Sequence, residues 1–259
     1  MTARRSILVT GASSGLGAGL ARHYAAADVR LALIGRDAAR LEATAADCRA
    51  AGAEVVTGLF DVAEAAPIGA WIAEQDAVAP FAIAIAAAGV SAGTSEAGAP
   101  EGHKLATLQV RTNLLGTMNV MEPLIAPMIA RKAGQLVVVS STAALRGLPY
   151  SPGYSASKAG VRAYGEALRA LLAPAGVAVT VVVPGFFDTP MTDRWKGPTP
   201  FMTSLDTMVR VITRGIDRRA ARVTHPRLLA LGQQAADLMP AAIGDRIVRG
   251  FRFHIEPGA

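Results

Sequence analysis

Short apolar runs alternate along this chain with longer segments in which apolar residues recur at helical spacing. The runs are rich in β-branched residues and almost uninterrupted, which is typical of parallel strands covered on both faces. They predict strands over Ser6–Thr10, Arg30–Gly35, Glu54–Leu59, Phe81–Ala86, Gly134–Ser140 and Ala178–Pro184. The segments between them predict helices over Leu16–Ala26, Ala38–Ala51, Ala66–Gln75, Lys104–Ile129 and Ser155–Pro174.

This alternation indicates an α/β fold: a doubly wound, Rossmann-like parallel sheet with helices on both faces. The chain of 259 residues fits one domain, and no repeat or linker divides it. We therefore expect a single domain over residues 1–259. Right-handed crossovers should bring the loops that follow the strands to one edge of the sheet, where ligands bind in such folds.

Composition narrows the class of protein. Hydrophobic residues make up 51% of the chain and charged residues 18%, which excludes a disordered protein. No apolar stretch reaches the ~18 residues of a membrane helix, and the run Ile7–Val9 is too short for a signal peptide. Cys48 is the single cysteine, and the four histidines lack metal-ligand spacing. We expect a cytoplasmic protein without disulfides or metal.

A glycine-rich turn follows the first predicted strand. Thr10-Gly11-Ala12-Ser13-Ser14-Gly15-Leu16-Gly17 leads into the helical spacing of Leu16, Leu20 and Tyr24. Strand, glycine turn and helix together are the context of a dinucleotide-binding site, because the backbone can approach a pyrophosphate at the helix N-terminus. The predicted contacts are Gly11, Ser13, Ser14, Gly15, Leu16 and Gly17.

A second motif combines Ser141, Tyr154 and Lys158. The tyrosine and lysine are four residues apart and would share one helix face. A phenol has a pKa of about 10, and a cation one turn away favours its ionised form. A serine hydroxyl nearby can hold a carbonyl oxygen while the tyrosine gives or takes a proton.

Together these motifs resemble the short-chain dehydrogenase/reductase family in its compact form. The resemblance covers roughly residues 5–191, and includes the helix asparagine Asn113 and the P-G-x-x-x-T segment Pro184–Thr189. It implies further cofactor contacts at Asp61, Val62, Ala88, Gly89, Pro184, Gly185 and Thr189, besides Tyr154 and Lys158. One departure is Ala86-Ala87-Ala88-Gly89, where the family usually carries N-N-A-G.

The resemblance also implies roles. Tyr154 would be the general acid in reduction or the base in oxidation. Lys158 would lower the tyrosine pKa and hold the nicotinamide ribose, and Ser141 would polarise the substrate carbonyl. Asn113 would position a water that relays protons to Lys158, and Thr189 would bind the nicotinamide end or a nearby phosphate.

The residues after the second strand bear on cofactor choice. Arg36 stands where NADP-dependent relatives often carry a cation, and Gly35 stands where NAD-specific ones carry a carboxylate. A guanidinium can bind a 2′-phosphate in bidentate fashion. NADP is therefore favoured, but NAD stays possible, since Asp37 would reverse the preference if the register shifted.

The segment from residue 186 onward is predicted to include a substrate lid and a C-terminal helical extension, 186–259. Large apolar residues in the lid favour a hydrophobic ketone or alcohol, although they could equally be ordinary core. They are Phe186, Phe187, Met191, Trp195, Phe201 and Met202. Leu145, Leu148 and Tyr150 are further candidates for the same pocket.

The C-terminal part also carries most of the net charge of +6, with eleven Lys/Arg and six Asp/Glu from Pro190 onward. A solvated helix face is the simplest interpretation. The alternatives are a surface that attracts a phosphorylated substrate, an acidic acyl carrier or an anionic membrane. The apolar segment Leu228–Ile243 is too short to span a membrane. It could contact a lipid surface, extend the substrate site or pack on another subunit.

The resemblance implies a homodimer or homotetramer acting on a small-molecule substrate. Nucleic-acid binding lacks support, because no recognisable module accompanies the basic residues. An NADP-dependent carbonyl/alcohol oxidoreductase is therefore the leading hypothesis. An NAD-dependent alcohol dehydrogenase, lyase or epimerase of the same family and a non-catalytic nucleotide sensor are the alternatives.

Overall fold

A seven-stranded parallel sheet forms the centre of the protein in the computed structural model, which describes residues 4–256. The ends of the predicted domain, residues 1–3 and 257–259, lie outside the described residues. The strands of the sheet are β1 (Arg5–Thr10), β2 (Val29–Gly35), β3 (Glu54–Leu59), β4 (Phe81–Ala86), β5 (Gln135–Val139), β6 (Ala178–Pro184) and, numbered in chain order, β8 (Arg222–His225). Their spatial order is β3-β2-β1-β4-β5-β6-β8, and this confirms the predicted fold class.

Helices cover both faces of the sheet, and a small two-stranded sheet lies apart from it. The helices are α1 (Gly15–Tyr24), α2 (Ala38–Ala50), α3 (Ala65–Val78), α4 (Gly102–Gln109), α5 (Gly116–Arg131), α6 (Pro152–Leu172), α7 (Pro190–Asp193), α8 (Leu205–Asp217), α9 (Arg227–Leu238) and α10 (Ala241–Arg249). The small sheet pairs β7 (Trp195–Lys196) with β9 (His254–Ile255) in antiparallel fashion.

Two hydrophobic cores, one on each face, hold the layers together. Leu20 of α1, Leu41 of α2 and Ile212 of α8 belong to the first core. Ile72 of α3 and Leu124 of α5 belong to the second. Because apolar side chains leave water on both faces, the inner strands such as β2, β4 and β5 are buried along most of their length, as their apolar sequences predict. The edge strand β3 differs, since Glu54 and Leu59 are exposed.

The structure corrects the prediction in two places. The long helix predicted over Lys104–Ile129 contains a π-helical segment at Val110–Leu115, between α4 and α5. The seventh strand, β8, was not predicted, because its four residues include Arg222 and His225 and lack an apolar run. It extends the sheet by pairing with β6.

The described helices differ from membrane-spanning helices in length or in hydropathy. Within residues 4–256, no helix combines the length and apolar character that crossing a membrane requires. The exposed positions of Arg210, Arg214 and Arg218 on or beside α8 agree with a solvated basic face. Cys48 is fully buried in the first core.

Candidate active site

A cavity of about 900 Å³ opens at the carboxyl edge of the sheet, where the loops after the strands meet. The predicted cofactor residues line it with one exception. Those present are Gly11, Ser13, Ser14, Gly15, Leu16, Gly17, Arg36, Val62, Ala88, Gly89, Tyr154, Lys158, Pro184, Gly185 and Thr189. The exception is Asp61, whose carboxylate accepts a hydrogen bond from the Ala63 amide at 2.9 Å. Asp61 therefore acts here as a local cap.

The glycine turn brings the start of α1 against the end of β1. A Cβ atom on Gly17 would lie 2.3 Å from the carbonyl oxygen of Gly11, closer than any side chain tolerates. Gly11 has φ +68°, and a Cβ atom there would lie 2.9 Å from the Ala88 backbone. Both glycines are thus required by close backbone approach, and the resulting bare turn suits a pyrophosphate at the N-terminus of α1.

The side chain of Thr10 takes part in holding the segment that departs from the family pattern. Its hydroxyl oxygen accepts hydrogen bonds from the amides of Ala87 and Ala88, each at 3.2 Å. These bonds tie the end of β1 to the loop after β4, although Ala86 and Ala87 replace the two asparagines that the family usually carries there. Thr10 therefore holds Ala87 and Ala88 beside the glycine turn without those two asparagines.

Ser141, Tyr154 and Lys158 converge on the same cavity. Ser141 follows β5 and caps a short turn, its oxygen accepting from the Ala143 amide at 3.1 Å. Tyr154 and Lys158 lie in the first turns of α6, with the lysine Nζ atom 5.8 Å from the centre of the tyrosine ring. Lys158 Nζ donates to the carbonyl oxygen of Val139 at 2.9 Å, which ties α6 to the end of β5.

Burial governs the proton affinity of this pair. It raises the pKa of the Tyr154 phenol, and the Ser141 side chain acts in the opposite direction. Burial also lowers the pKa of Lys158 to about 8, because the ammonium form loses hydration. The net direction for the Tyr154 pKa is therefore upward, because loss of water around the phenol is larger than the opposing effect of Ser141. The effect of Lys158 that the spacing predicts stays a prediction.

The buried lysine predicts a pH-dependent stability. Lys158 keeps its proton up to about pH 10.5 when unfolded but only up to about pH 8 when folded. The unfolded state binds more protons between these values, so the free energy of unfolding should rise with pH there. Relative to a Lys158→Met variant, the wild type should gain about 2 kcal/mol from pH 8 to pH 10. Urea unfolding at both pH values measures this difference, and a constant difference would contradict the depressed pKa.

Asn113 is fully buried in the π-helical segment and does not line the cavity directly. Its amide group donates to the Val90 carbonyl at 3.0 Å and accepts from the Val90 amide at 2.8 Å. It also donates to Ser157 Oγ at 2.9 Å. Ser157 in turn donates to the Tyr154 carbonyl at 2.8 Å. Asn113 thereby connects the loop after β4 to the helix that carries Tyr154 and Lys158.

The end of β2 presents two cations to the cavity. Arg36 and Arg40 both line it, and Arg36 Nη1 lies 3.5 Å from Asp61 Oδ2. Asp37 caps α2 by accepting from the Arg40 amide at 2.9 Å, a hydrogen bond that lowers the pKa of its carboxyl. Asp37 also pairs with Arg40 Nε at 2.9 Å. Arg40 is a site candidate that the sequence analysis missed, although its place in the first turn of the helix after Arg36 was a signal.

A family profile described as short chain dehydrogenase matches residues 5–198, which include the glycine turn and the Ser141, Tyr154 and Lys158 cluster. The chain belongs to the short-chain dehydrogenase/reductase family. It is an oxidoreductase, as its named relatives are.

Two curated relatives span nearly the whole of this short-chain dehydrogenase/reductase. An uncharacterized oxidoreductase of Myxococcus xanthus is 36% identical over 249 residues, which cover 96% of this chain and 98% of the relative. Ketoacyl reductase HetN of Nostoc sp. is 30% identical over 264 residues, covering 95% of this chain and 89% of the relative.

Solved structures share the fold. A short-chain dehydrogenase from Sphingobium yanoikuyae in complex with NADPH superposes with a TM-score of 0.77 at 24% identity, covering 95% of this chain and 93% of its own. One from Mycobacterium paratuberculosis bound to NAD superposes with a TM-score of 0.74 at 19% identity, covering 85% and 95%. At these identities the likeness concerns the fold alone.

Beyond the profile, the short-chain dehydrogenase/reductase adds a cover to its cavity. We use "cover" for residues 227–256, which hold α9, α10 and β9. Leu229, Gln233 and Ala236 of α9 line the cavity, so the apolar segment predicted over Leu228–Ile243 does extend the site. Pro240 separates α9 from α10, as a break at that residue predicts.

Aromatic side chains join the lid to the cover. Trp195 stacks on Phe253 with ring centres 3.6 Å apart, and Phe186 meets Trp195 edge-on at 4.9 Å. All three line the cavity, as do Phe187, Met191 and Phe201. Phe253 was not predicted, because nothing in its polar surroundings marks it.

Arg146 fastens the cover to the loop that follows Ser141. Its guanidinium pairs with Asp237 of α9 at 3.2 Å and with Asp245 of α10 at 2.5 Å. The arginine side chain is only 16% exposed, so its two ion pairs are partly shielded from water. One residue thus holds both helices of the cover against the active-site loop.

Three further residues predicted for the pocket lie elsewhere. Leu145 is buried in the second core, and Tyr150 packs edge-on against Phe253 while its hydroxyl donates to the Arg249 carbonyl at 3.1 Å. Met202 is 40% exposed and does not line the cavity. Leu148 does line it. Spacing along a loop could not decide which side chains face inward.

Proposed function

We propose that this protein is an NADP-dependent oxidoreductase that interconverts a hydrophobic ketone and its alcohol. The observation that supports this most strongly is the meeting of Ser141, Tyr154 and Lys158 with the bare glycine turn in one largely apolar cavity. When bound, a nicotinamide cofactor supplies or accepts the hydride, while the protein contributes position and electrostatics.

Ser141 and Tyr154 act on the substrate oxygen in this proposal. The Ser141 hydroxyl donates to the carbonyl oxygen and orients it. The Tyr154 phenol delivers the proton to that oxygen in reduction and removes it from the alcohol in oxidation. Burial keeps the Tyr154 phenol protonated, so the proton to be delivered in reduction is in place. Because a raised pKa makes the phenol a weaker acid, its transfer depends on Ser141 and Lys158 favouring the ionised form as the proton leaves.

Lys158 and Asn113 support the tyrosine. Lys158 would hold the ribose hydroxyls next to the nicotinamide, and its lowered pKa lets it pass a proton toward Tyr154 near neutral pH. The Asn113 side chain fixes the loop at Val90 relative to helix α6. Its backbone carbonyl accepts a hydrogen bond from Thr117 Oγ1 at 2.7 Å. Asn113 is therefore a positioning residue in this proposal, and Thr189 contacts the nicotinamide end.

The cations at the end of β2 favour NADP. Arg36 and Arg40 present guanidinium groups to the cavity, and the Asp37 carboxylate is already engaged by Arg40. Removing the Arg36 guanidinium removes a charge-assisted contact to the 2′-phosphate. We expect Arg36→Ala to weaken NADPH binding by on the order of 10–100-fold and to leave NADH binding unchanged. Fluorescence titration with both cofactors measures this.

Arg210→Ala is the matched control, because Arg210 is also an exposed arginine but lies on α8 and does not line the cavity. It should leave both affinities unchanged. Tighter binding of NADH than of NADPH by the wild type would instead favour the NAD-dependent alcohol dehydrogenase. Asp37, which also lines the cavity, would then be the residue to replace next.

The substrate end of the cavity is aromatic and aliphatic. Phe187, Trp195 and Phe253 are among its lining residues, beyond the Ser141 and Tyr154 side chains. Burying apolar area on such a surface is favourable by about 25 cal/mol per Å². We therefore propose a ketone with a sizeable apolar body. For assembly, we propose a homo-oligomer that buries the exposed Leu105, Leu108 and Leu115 of α4 and the π-helical segment.

A further inference from the structure

Helix α9 carries apolar side chains on three sides. Leu229 and Ala236 face the cavity, and Ala230 is buried in the second core. The third side faces solvent, with Leu228, Leu231 and Leu238 spaced at helical intervals. Leu231 is 60% exposed and Leu238 88% exposed. A surface helix of a soluble protein normally places polar residues on its outer side. An exposed apolar stripe therefore indicates a surface that binds a partner.

The stripe is continuous with the mouth of the cavity. Four large apolar side chains both line the cavity and are at least 41% exposed, so they form its rim: Phe201, Leu228, Ile247 and Phe251. Ile243 of α10 is 51% exposed beside them. The entrance to the substrate cavity therefore lies within the same apolar surface as the outer side of α9.

Exposed arginines are the sequence neighbours of this surface: Arg227 precedes Leu228, Arg246 precedes Ile247, and Arg252 follows Phe251. Arg227, Arg246, Arg249 and Arg252 are exposed, and none has a carboxylate within salt-bridge distance among residues 4–256. The neighbouring acids are already engaged: Asp237 and Asp245 bind Arg146, and Glu256 binds Lys196. Exposed apolar side chains with arginines next to them in sequence complement the interface of a bilayer with anionic headgroups.

We propose that α9, α10 and the rim dock on an anionic lipid bilayer with the mouth of the cavity facing the lipid. The route for substrate rests on the proposed function: a hydrophobic ketone dissolved in the bilayer would reach the cavity without crossing water. Binding to the lipid itself depends only on the surface described above. The two proposals can therefore fail separately.

Vesicle sedimentation of the full chain tests the docking surface. The protein should bind vesicles of phosphatidylcholine mixed with phosphatidylglycerol, bind phosphatidylcholine alone much less, and be released by added salt. Leu231→Ser combined with Leu238→Ser should lower the partition constant at least about tenfold. Replacing Arg246 and Arg252 by Gln should lower it about fivefold for each arginine.

Leu171→Ser is the matched control, because Leu171 is 68% exposed but lies near the end of α6, outside the cover. It should not change partitioning. Neither Leu231 nor Leu238 lines the cavity, so the double variant should reduce a short, water-soluble ketone at the wild-type rate. Activity without vesicle binding overturns the docking proposal alone, and vesicle binding without activity on any ketone overturns only the proposed function.

A second copy of the chain is the competing occupant of this surface. In that case light scattering would give the Leu231→Ser and Leu238→Ser double variant a smaller oligomer mass than the wild type. The wild type would also fail to sediment with anionic vesicles. That pair of results would overturn the lipid proposal.

Discussion

Replacing Tyr154 by Phe should lower kcat for ketone reduction by about 10²–10⁴-fold. The variant keeps the ring and its packing but loses the phenol, so no proton donor reaches the substrate oxygen. NADPH affinity and the free energy of unfolding should stay close to those of the wild type, since only one oxygen atom is removed. Steady-state kinetics with an apolar ketone and NADPH, together with urea unfolding, measure all three quantities.

Tyr164→Phe provides the control on the same helix. The Tyr164 hydroxyl donates to Glu122 Oε1 at 2.6 Å and does not line the cavity. The same chemical change there should leave kcat within a factor of about two, as expected for a surface substitution. If Tyr154→Phe were as active as Tyr164→Phe, the proton would have to come from another group, and the role proposed for Tyr154 would be wrong.

Replacing Gly17 by Ala should abolish NADPH binding. The new Cβ atom would lie 2.3 Å from the Gly11 carbonyl oxygen and 2.8 Å from that of Thr10. Both neighbours are backbone atoms, so α1 would have to move away from the turn that it closes. We expect a loss of about 1–3 kcal/mol in the free energy of unfolding as well. Fluorescence titration and urea unfolding report the two effects separately.

Gly147→Ala is the matched control for this substitution. Nothing lies within 4 Å of the position that its Cβ atom would take. Its stability should change by no more than about 0.5 kcal/mol, and NADPH should still bind. A Gly17→Ala variant that bound NADPH normally would show that α1 can withdraw without cost, contrary to the close packing of the turn.

The sheet could be predicted from the sequence because its strands are buried on both faces. Phe81–Ala86 is apolar throughout and Ala178–Pro184 is apolar except for Thr180, and the structure gives both strands the same bounds. The glycine turn and the Tyr154–Lys158 spacing were recognisable for a related reason. Each depends on residues close in sequence, so local geometry places the side chains without knowledge of the rest of the fold.

Long-range packing accounts for what could not be predicted. Strand β8 is short and polar, and it is a strand because β6 offers it a free edge. Phe253 faces the cavity because β9 pairs with β7, a contact across some sixty residues. The raised pKa of Tyr154 has the same origin, since it comes from burial by the surrounding structure, which spacing along one helix does not reveal.

The cover is joined to the rest of the protein partly through Arg146 and the β7–β9 pair. The residues proposed for chemistry, Asn113 to Lys158, all precede the cover, which contributes none of them. Apolar contacts hold it as well, since Ala230 lies in the second core and Trp195 stacks on Phe253. A chimera that exchanges residues 227–256 between relatives, with the contacts at Arg146 and Trp195 kept, should therefore change which substrate fits and leave the proposed proton donor in place. In such an enzyme, exchange of one C-terminal segment can change the range of substrates while the residues proposed for proton transfer stay the same.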